Sequence, residues 1–359
     1  MAYRVIQVGT GGMGADWCKG ILPPFAKEGQ IEVVAAVDIN PQVLENAQVG
    51  LGLRRDQCYT DVQRAFDENP ADFCTIVVPP ASHEMVVDLA LSHDMHILSE
   101  KPIADTMAAS VRIARKVKQA GAKMGVTMSR RFARDKVTLR EEIRSGRYGA
   151  LDYIVCRFTC DCRKFGSWGK FRHEMADPLM VEGAVHHLDY LADMAGALCD
   201  TLYAQTWNPA WGEYAGDSQG LVIMHFTNGV RVLYEGAKTN AVGLNPWGQE
   251  YIRAECERAT LVLNCRELER FIYNTESTLT HRREGQGEKI PLLEPPRWSH
   301  AWLVEQFLRW LDGGEPMATN VEDNLQSVAL IFSAVESSRS GKPVRVQEFL
   351  ARHLADIKL

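Results

Sequence analysis

The residues best suited to chemistry begin with Gly9-Thr10-Gly11-Gly12-Met13-Gly14, which follows an apolar run from Tyr3 to Val8. Gly9 permits a tight turn, Gly11 lets a pyrophosphate approach the backbone, and Gly14 lets the following helix pack close to the strand. Gly12 and Met13 complete the loop, and the helix that starts at Met13 presents free N–H groups and a positive dipole end to phosphates. A second apolar run, residues 31–37, ends at Asp38, where a carboxylate can take ribose hydroxyls. A 2′-phosphate there would meet that negative charge, and neither Ile39 nor Asn40 offers a compensating cation. The pattern therefore predicts NAD and disfavours NADP.

Three further groups follow apolar runs. Pro79-Pro80 and His83 follow residues 73–78. Glu100-Lys101-Pro102 follows residues 95–99. Arg131 lies in the stretch that follows residues 123–127. A lysine at the carboxyl end of a strand can donate a hydrogen bond to a substrate oxygen and lower the pKa of a neighbouring acid–base group. A cis Lys101–Pro102 peptide is expected. Glu182, His186 and either Asp189 or Tyr190 are spaced to share a helix face, with His187 turned away by about 100°. Carboxylate and imidazole on one face can hold zinc, but no third histidine or cysteine stands nearby, so no metal is expected. Cys160 and Cys162 point the same way on a strand and read as packing residues.

These residues need positioning elements. From Tyr3 to about Thr127 strand and helix patterns alternate, and the unalternating run 73–78 reads as a strand buried on both faces. Thr106 can cap a helix that runs to about residue 120. This predicts a Rossmann-type doubly wound parallel sheet over residues 1–127, with ligands at the strands' carboxyl ends. Residues 128–359 read as an α+β domain with an open, mostly antiparallel sheet. Its parts are a helix at 136–145, a strand at 151–161, a polar loop at 163–177 and a helix at 180–194. Strands then run from residue 202 to 281, with a type I′ hairpin turn expected at Asn228-Gly229. Trp302, Phe307, Trp310 and Leu311 are spaced for one buried stripe, and Asn320 can cap a final long helix.

The chain has 359 residues, 46% of them apolar, and a formal charge of −6 without charged tails. Dispersed basic residues exclude a nucleic-acid surface. No apolar run is long enough to span a bilayer. Nine scattered cysteines fit a reducing compartment. With a strand starting at Tyr3, no room remains for a signal peptide, and a cytoplasmic location is expected. An open sheet needs cover, so a homodimer or homotetramer is expected, with Leu221, Ile223, Val232 and Tyr234 offering apolar surface.

Gly9-x-Gly11-x-x-Gly14, Pro79-Pro80-x-x-His83, Glu100-Lys101-Pro102 and Gly183-x-x-His186-x-x-Asp189, in this order, resemble the Gfo/Idh/MocA oxidoreductase family. The resemblance implies an NAD-dependent dehydrogenase or reductase acting on a sugar, sugar acid or cyclitol. It implies that Lys101 contacts the reacting hydroxyl and that His186 is the acid–base group. Glu182, expected in the catalytic group with Lys101 and His186, stands where many members have Asp, and Ser129 where many have Asn or Gln. Pro79, Pro80, His83, Glu100 and Lys101 are expected beside the cofactor. Arg131, Arg157, Lys164, Trp168, Arg172, His173, His187 and Asp189 are expected on the substrate side. In the implied mechanism the substrate binds between the two domains and passes a hydride to the nicotinamide. Two alternatives use the same parts: a redox-neutral glycoside hydrolase or lyase that retains NAD, and a non-catalytic sugar or dinucleotide sensor.

Overall fold

The computed structural model describes residues 2–273 and 287–356. The chain forms two compact units. The first contains residues 1–128, 300–328 and 353–359; the second contains residues 129–299 and 329–352. The first unit is therefore not one continuous stretch, because later segments return to it.

In the first unit, β1 (Tyr3–Val8), β2 (Ile31–Val37), β3 (Cys58–Tyr59), β4 (Phe73–Ile76), β5 (His96–Ser99) and β6 (Met124–Val126) form a parallel sheet. Their spatial order among the described residues is β3-β2-β1-β4-β5-β6. The order reverses between β1 and β4, which is the switch point where open α/β sheets take ligands. Every residue of β4 is buried, as its unbroken apolar run requires. The helix after the glycine loop is α-helical over Met13–Asp16 and widens to a π turn at Trp17–Ile21. It restarts at Pro23–Lys27, because Pro23 and Pro24 have no N–H to continue the ladder. Thr106 caps helix Met107–Gln119 by accepting from the Ala109 N–H at 3.1 Å. Helix Ser299–Leu311 buries Leu303, Val304, Phe307 and Leu308. Of the expected stripe only Phe307 is buried, because Trp302, Trp310 and Leu311 sit at its margins.

In the second unit, β7 (Leu151–Thr159), β8 (Cys199–Trp207), β9 (Gln219–Phe226), β10 (Arg231–Ala237), β11 (Tyr251–Cys256), β12 (Ala259–Asn264), β13 (Glu267–Ile272), β14 (Glu288–Ile290) and β15 (Val344–Arg345) form one mixed sheet. The order is β14-β13-β12-β11-β7-β10-β9-β8-β15, and the pairing is antiparallel except between β7 and β10. Residues 274–281, read as continued strand, lie outside the described residues. The polar loop carries a short helix, Lys170–Glu174. The next helix opens with a π turn, Leu179–Ala184, and continues as Val185–Ala195.

The hairpin turn at Asn228-Gly229 is not type I′. The Gly229 N–H donates to Phe226 O at 2.9 Å, Gly229 has φ +89°, and Asn228 does not enter the left-handed region. This is a type I turn with a following left-handed glycine. Asn228 is held in it by donating to Ala195 O and accepting from Val230 N. Left-handed φ at both central residues occurs instead at Cys265 and Arg266, between β12 and β13. Burial alternates along β9 and β10, and the register places Ile223 opposite Leu233 and Val222 opposite Tyr234. Leu221 (45% exposed), Ile223 (53%) and Leu233 (42%) therefore face outward. Val232 and Tyr234, expected on that face, point inward and are buried.

Candidate functional site

At the switch point, the backbone dictates the glycines. A Cβ on Gly9 would stand 2.1 Å from Val77 O, and one on Gly14 would stand 2.3 Å from Gly9 O. Both approaches exclude any other residue. Gly11 differs: a Cβ there meets only Val43 at an ordinary 3.5 Å. Neighbouring protein does not demand that glycine, whereas close approach of a pyrophosphate does, so the loop fits a dinucleotide. Asp38 Oδ2 accepts from Thr10 N at 2.8 Å and Gly11 N at 3.1 Å, while Oδ1 accepts from Asn40 N at 2.9 Å. A carboxylate offers about four acceptor sites, so Oδ1 retains capacity for a ribose hydroxyl.

Pro79 and Pro80 follow β4, and the buried His83 fastens their loop. Its Nε2 lies 2.9 Å from Val78 O and its Nδ1 3.1 Å from Ile103 O. Glu100, at the end of β5, is buried. Its Oε1 accepts from Trp17 Nε1 at 2.9 Å and His300 Nε2 at 3.0 Å, and its Oε2 accepts from Lys101 N at 3.3 Å. Burial pushes its pKa up, but the His300 bond and charge, the Lys101 charge and the Trp17 bond outweigh burial and hold it at about 2. The Lys101–Pro102 peptide is cis, and Lys101 is half-buried at the mouth of β5. His300 and Trp17 were not legible as partners of Glu100, because they lie 200 and 83 residues away from it.

In the second unit, Glu182, His186 and Asp189 occupy one helical run, and each has its own surroundings. Glu182 Oε2 accepts from Arg172 Nε at 2.9 Å. The Arg172 guanidinium lies 4.6 Å from the Trp168 ring and 4.4 Å from the Phe171 ring, and donates to Trp168 O at 3.1 Å. Asp189 is paired through both oxygens with Arg131. His186 meets the Trp247 ring edge-on at 6.2 Å. Lys238 is fully buried, places its ammonium 3.7 Å from the Trp168 ring centre and donates to Pro178 O at 2.6 Å. Trp247 and Lys238 were missed in the sequence. The available signal was parity, since Tyr234, Gly236 and Lys238 alternate onto one side of β10 and its continuation.

Some expected substrate-side residues are not brought together with His186. Arg157 lies on the open face of the sheet and pairs with Glu235, and exposed Lys164 pairs with Glu213. Strand parity sends Arg157 away from the helix-bearing face, where Cys156 and Phe158 point. His173 is buried, with both ring nitrogens on carbonyls of Gly169 and Cys162. His187 is fully buried, with Nδ1 2.8 Å from Tyr234 Oη and Nε2 3.7 Å from Glu250. Burial lowers its pKa against the pull of Glu250. Lys136, nearly inaccessible, bridges Asp135 at 2.8 Å and Glu250 at 2.6 Å. Among the described residues no group of three or more His, Cys, Asp or Glu is arranged to hold a metal. None of the described helices is long and apolar enough to cross a membrane.

A family model described as oxidoreductase family, NAD-binding Rossmann fold (Gfo/Idh/MocA) matches residues 3–128. The companion model of the family's C-terminal alpha/beta domain matches residues 140–346. The chain is 53% identical to the uncharacterized protein y4oX of Sinorhizobium fredii, over 98% of this chain and 97% of that protein. It is 29% identical to inositol 2-dehydrogenase 1 of Paenarthrobacter aurescens, over 96% of both. Its fold is shared with an Agrobacterium radiobacter oxidoreductase solved with NAD+, L-tartaric acid and magnesium, at a TM-score of 0.82 and 18% identity, over 97% of this chain and 99% of that one. The WlbA dehydrogenase of Bordetella pertussis, solved with NADH and UDP-GlcNAcA, superposes at a TM-score of 0.78 and 19% identity, over 96% and 99%.

Proposed function

Because the chain belongs to the Gfo/Idh/MocA family of NAD-binding oxidoreductases, we propose that it oxidises a hydroxyl carbon of a sugar, sugar acid or cyclitol, or reduces the corresponding carbonyl. The observation that carries this reading is Lys101 at the mouth of a parallel strand, beside a Glu100 whose carboxylate Trp17 and His300 fix. NAD, when bound, supplies the hydride acceptor. The chain's residues do the rest. The backbone of Gly9 to Gly14 holds the pyrophosphate, and Asp38 takes the ribose hydroxyls. Lys101 donates a hydrogen bond to the reacting oxygen, and His186 accepts the hydroxyl proton. Arg172 pairs with Glu182 one turn before His186 and so orients that end of the helix. The names of inositol and D-apiose dehydrogenases among its relatives support a polyol or sugar as substrate class. The outward Leu221, Ile223 and Leu233 support a homo-oligomer that covers this face. We place the protein in the cytoplasm.

The test is incubation with NAD and a panel of sugars, cyclitols and glycosides, following NADH absorbance and released aglycone together. NADH formation supports the dehydrogenase; aglycone release with NAD conserved would replace it with the redox-neutral reading. Lys101→Ala and His186→Ala are each expected to lower turnover about a hundredfold or more while NAD affinity changes little. The double variant should lose less than the product of the two effects, because both groups serve one proton transfer. Near-normal turnover in both single variants would leave the sensor reading ahead. Glu182→Gln is expected to move the pH profile of turnover; an unmoved profile would reduce Glu182 to a structural anion.

A further inference from the structure

Cys160 and Cys162 follow β7, and their Sγ atoms are 3.7 Å apart. The backbone holds them there. Cys160 N donates to Ala237 O at 2.8 Å and Cys162 N to Lys238 O at 2.7 Å. The carbonyl of Cys162 accepts from Tyr214 Oη at 2.9 Å and faces His173 Nε2 at 3.1 Å, and those two rings stack at 4.1 Å. Cys160 is 7% exposed, whereas Cys162 is half-buried. A disulfide needs about 2.05 Å between sulfurs, so the pair has to close by roughly 1.7 Å.

The two thiols differ chemically. The Cys160 hydrogen bond, and then the Lys238 charge, lower the pKa of the Cys162 thiol against its burial. The Cys160 thiol is pushed up by the same hydrogen bond and by burial. Elsewhere burial pushes Cys18, Cys74, Cys156 and Cys199 up to about 12. The thiolate is the nucleophile in exchange reactions, so a half-buried Cys162 beside a buried Cys160 has the order of an attacking and a resolving thiol.

We propose that Cys160 and Cys162 are a redox dithiol that closes to an intrachain disulfide by exchange with a small-molecule disulfide. The Cys162 thiolate attacks one sulfur of the small disulfide. That S–S bond breaks, one thiolate leaves and takes a proton, and a mixed disulfide stands on Cys162. Cys160 then gives up its proton and attacks the Cys162 sulfur, and the second small thiol leaves. Two protein thiols are oxidised and one disulfide is reduced to two thiols, so no further acceptor is needed. The pair stands where the strand gives way to the loop that carries Trp168 and Arg172.

The test uses the whole protein with glutathione disulfide, followed by alkylation of free thiols, digestion and mass spectrometry. The expected result is a peptide spanning both residues that escapes alkylation, is lighter than the dithiol by two hydrogens, and becomes alkylatable after dithiothreitol. Cys160→Ser should stop at a stable glutathione adduct on Cys162. Cys162→Ser should lower the rate of glutathione incorporation at residue 160 at least tenfold. The proposal is overturned if both wild-type thiols remain alkylatable, or if the wild type accumulates a lasting adduct on Cys162 with Cys160 free. The wild-type measurement decides even where a serine variant fails to fold.

Discussion

The two units hold their functional groups by different means. Around the glycine loop of the first unit, close backbone approaches set the geometry, with Gly9 against Val77 O, Gly14 against Gly9 O and Asp38 bonded to backbone N–H groups. In the second unit, ion pairs with buried carboxylates set it: Arg172 with Glu182, Arg131 with Asp189, and Lys136 with Asp135 and Glu250. A backbone site depends on a few residues that tolerate no Cβ. A side-chain site depends on charges that hold one another in place, and losing one strands the others.

The sharpest way to break this comparison is Lys136→Met. It leaves Asp135 and Glu250, whose carboxylate is held well below the usual range, buried without their cation. The expected loss is about 3–5 kcal/mol of stability, measured by denaturant titration. A loss under about 1 kcal/mol would mean that the network does not organise the unit. Glu100 is the first unit's exception, a buried carboxylate fixed by side chains. Its pKa is lowered from 4.5 to about 2, so its stabilising contribution is complete above about pH 4.5 and is lost as pH falls towards 2. By linkage that contribution is on the order of 3 kcal/mol. Glu100→Gln should flatten the acid limb of the stability–pH curve, and an unchanged limb would assign that limb to other carboxylates. The smallest effect belongs to Asp38→Ser combined with Ile39→Arg. It should shift the preference from NAD towards NADP in binding titrations. Tighter binding of NADP by the wild type would sink the reading of Asp38.

The same division explains what could be read in advance. Gly9, Gly11, Gly14, Asp38 and the run 73–78 are local patterns, and local patterns carried the parallel sheet and its loops. The Asn320 cap was legible for the same reason, since its Oδ1 accepts from Glu322 N and Asp323 N at 3.1 Å. Charge partners were not legible, because they are set by tertiary approach: Lys136 meets Glu250 across 114 residues of chain. Turn chemistry failed in an instructive way. Asn228-Gly229 has the composition of a type I′ turn, but Asn228 is engaged by Ala195 O and stays out of the left-handed region. The non-glycine pair Cys265 and Arg266 takes that conformation, with Arg266 Nε held on Gly248 O at 2.8 Å. Which face of β9 and β10 is outward was open in the sequence, and a shift of one residue in a strand exchanges every inward side chain for an outward one; the structure turns Val232 and Tyr234 inward.

The return of residues 300–328 to the first unit sets an order in time. A ribosome releases β1 to β6 long before it has made His300, Phe307 or Thr319. Until then Glu100 lacks one of its donors and Phe73 lacks the ring that packs 5.2 Å from its own. The edge of β6 also has neither the Thr319 carbonyl that Val126 N meets at 2.9 Å nor the Thr319 hydroxyl that Val126 O accepts at 2.6 Å. The nascent nucleotide-binding sheet therefore waits, edge uncovered, through the synthesis of most of the second unit. The unit whose sequence comes first is closed by residues that are made almost last.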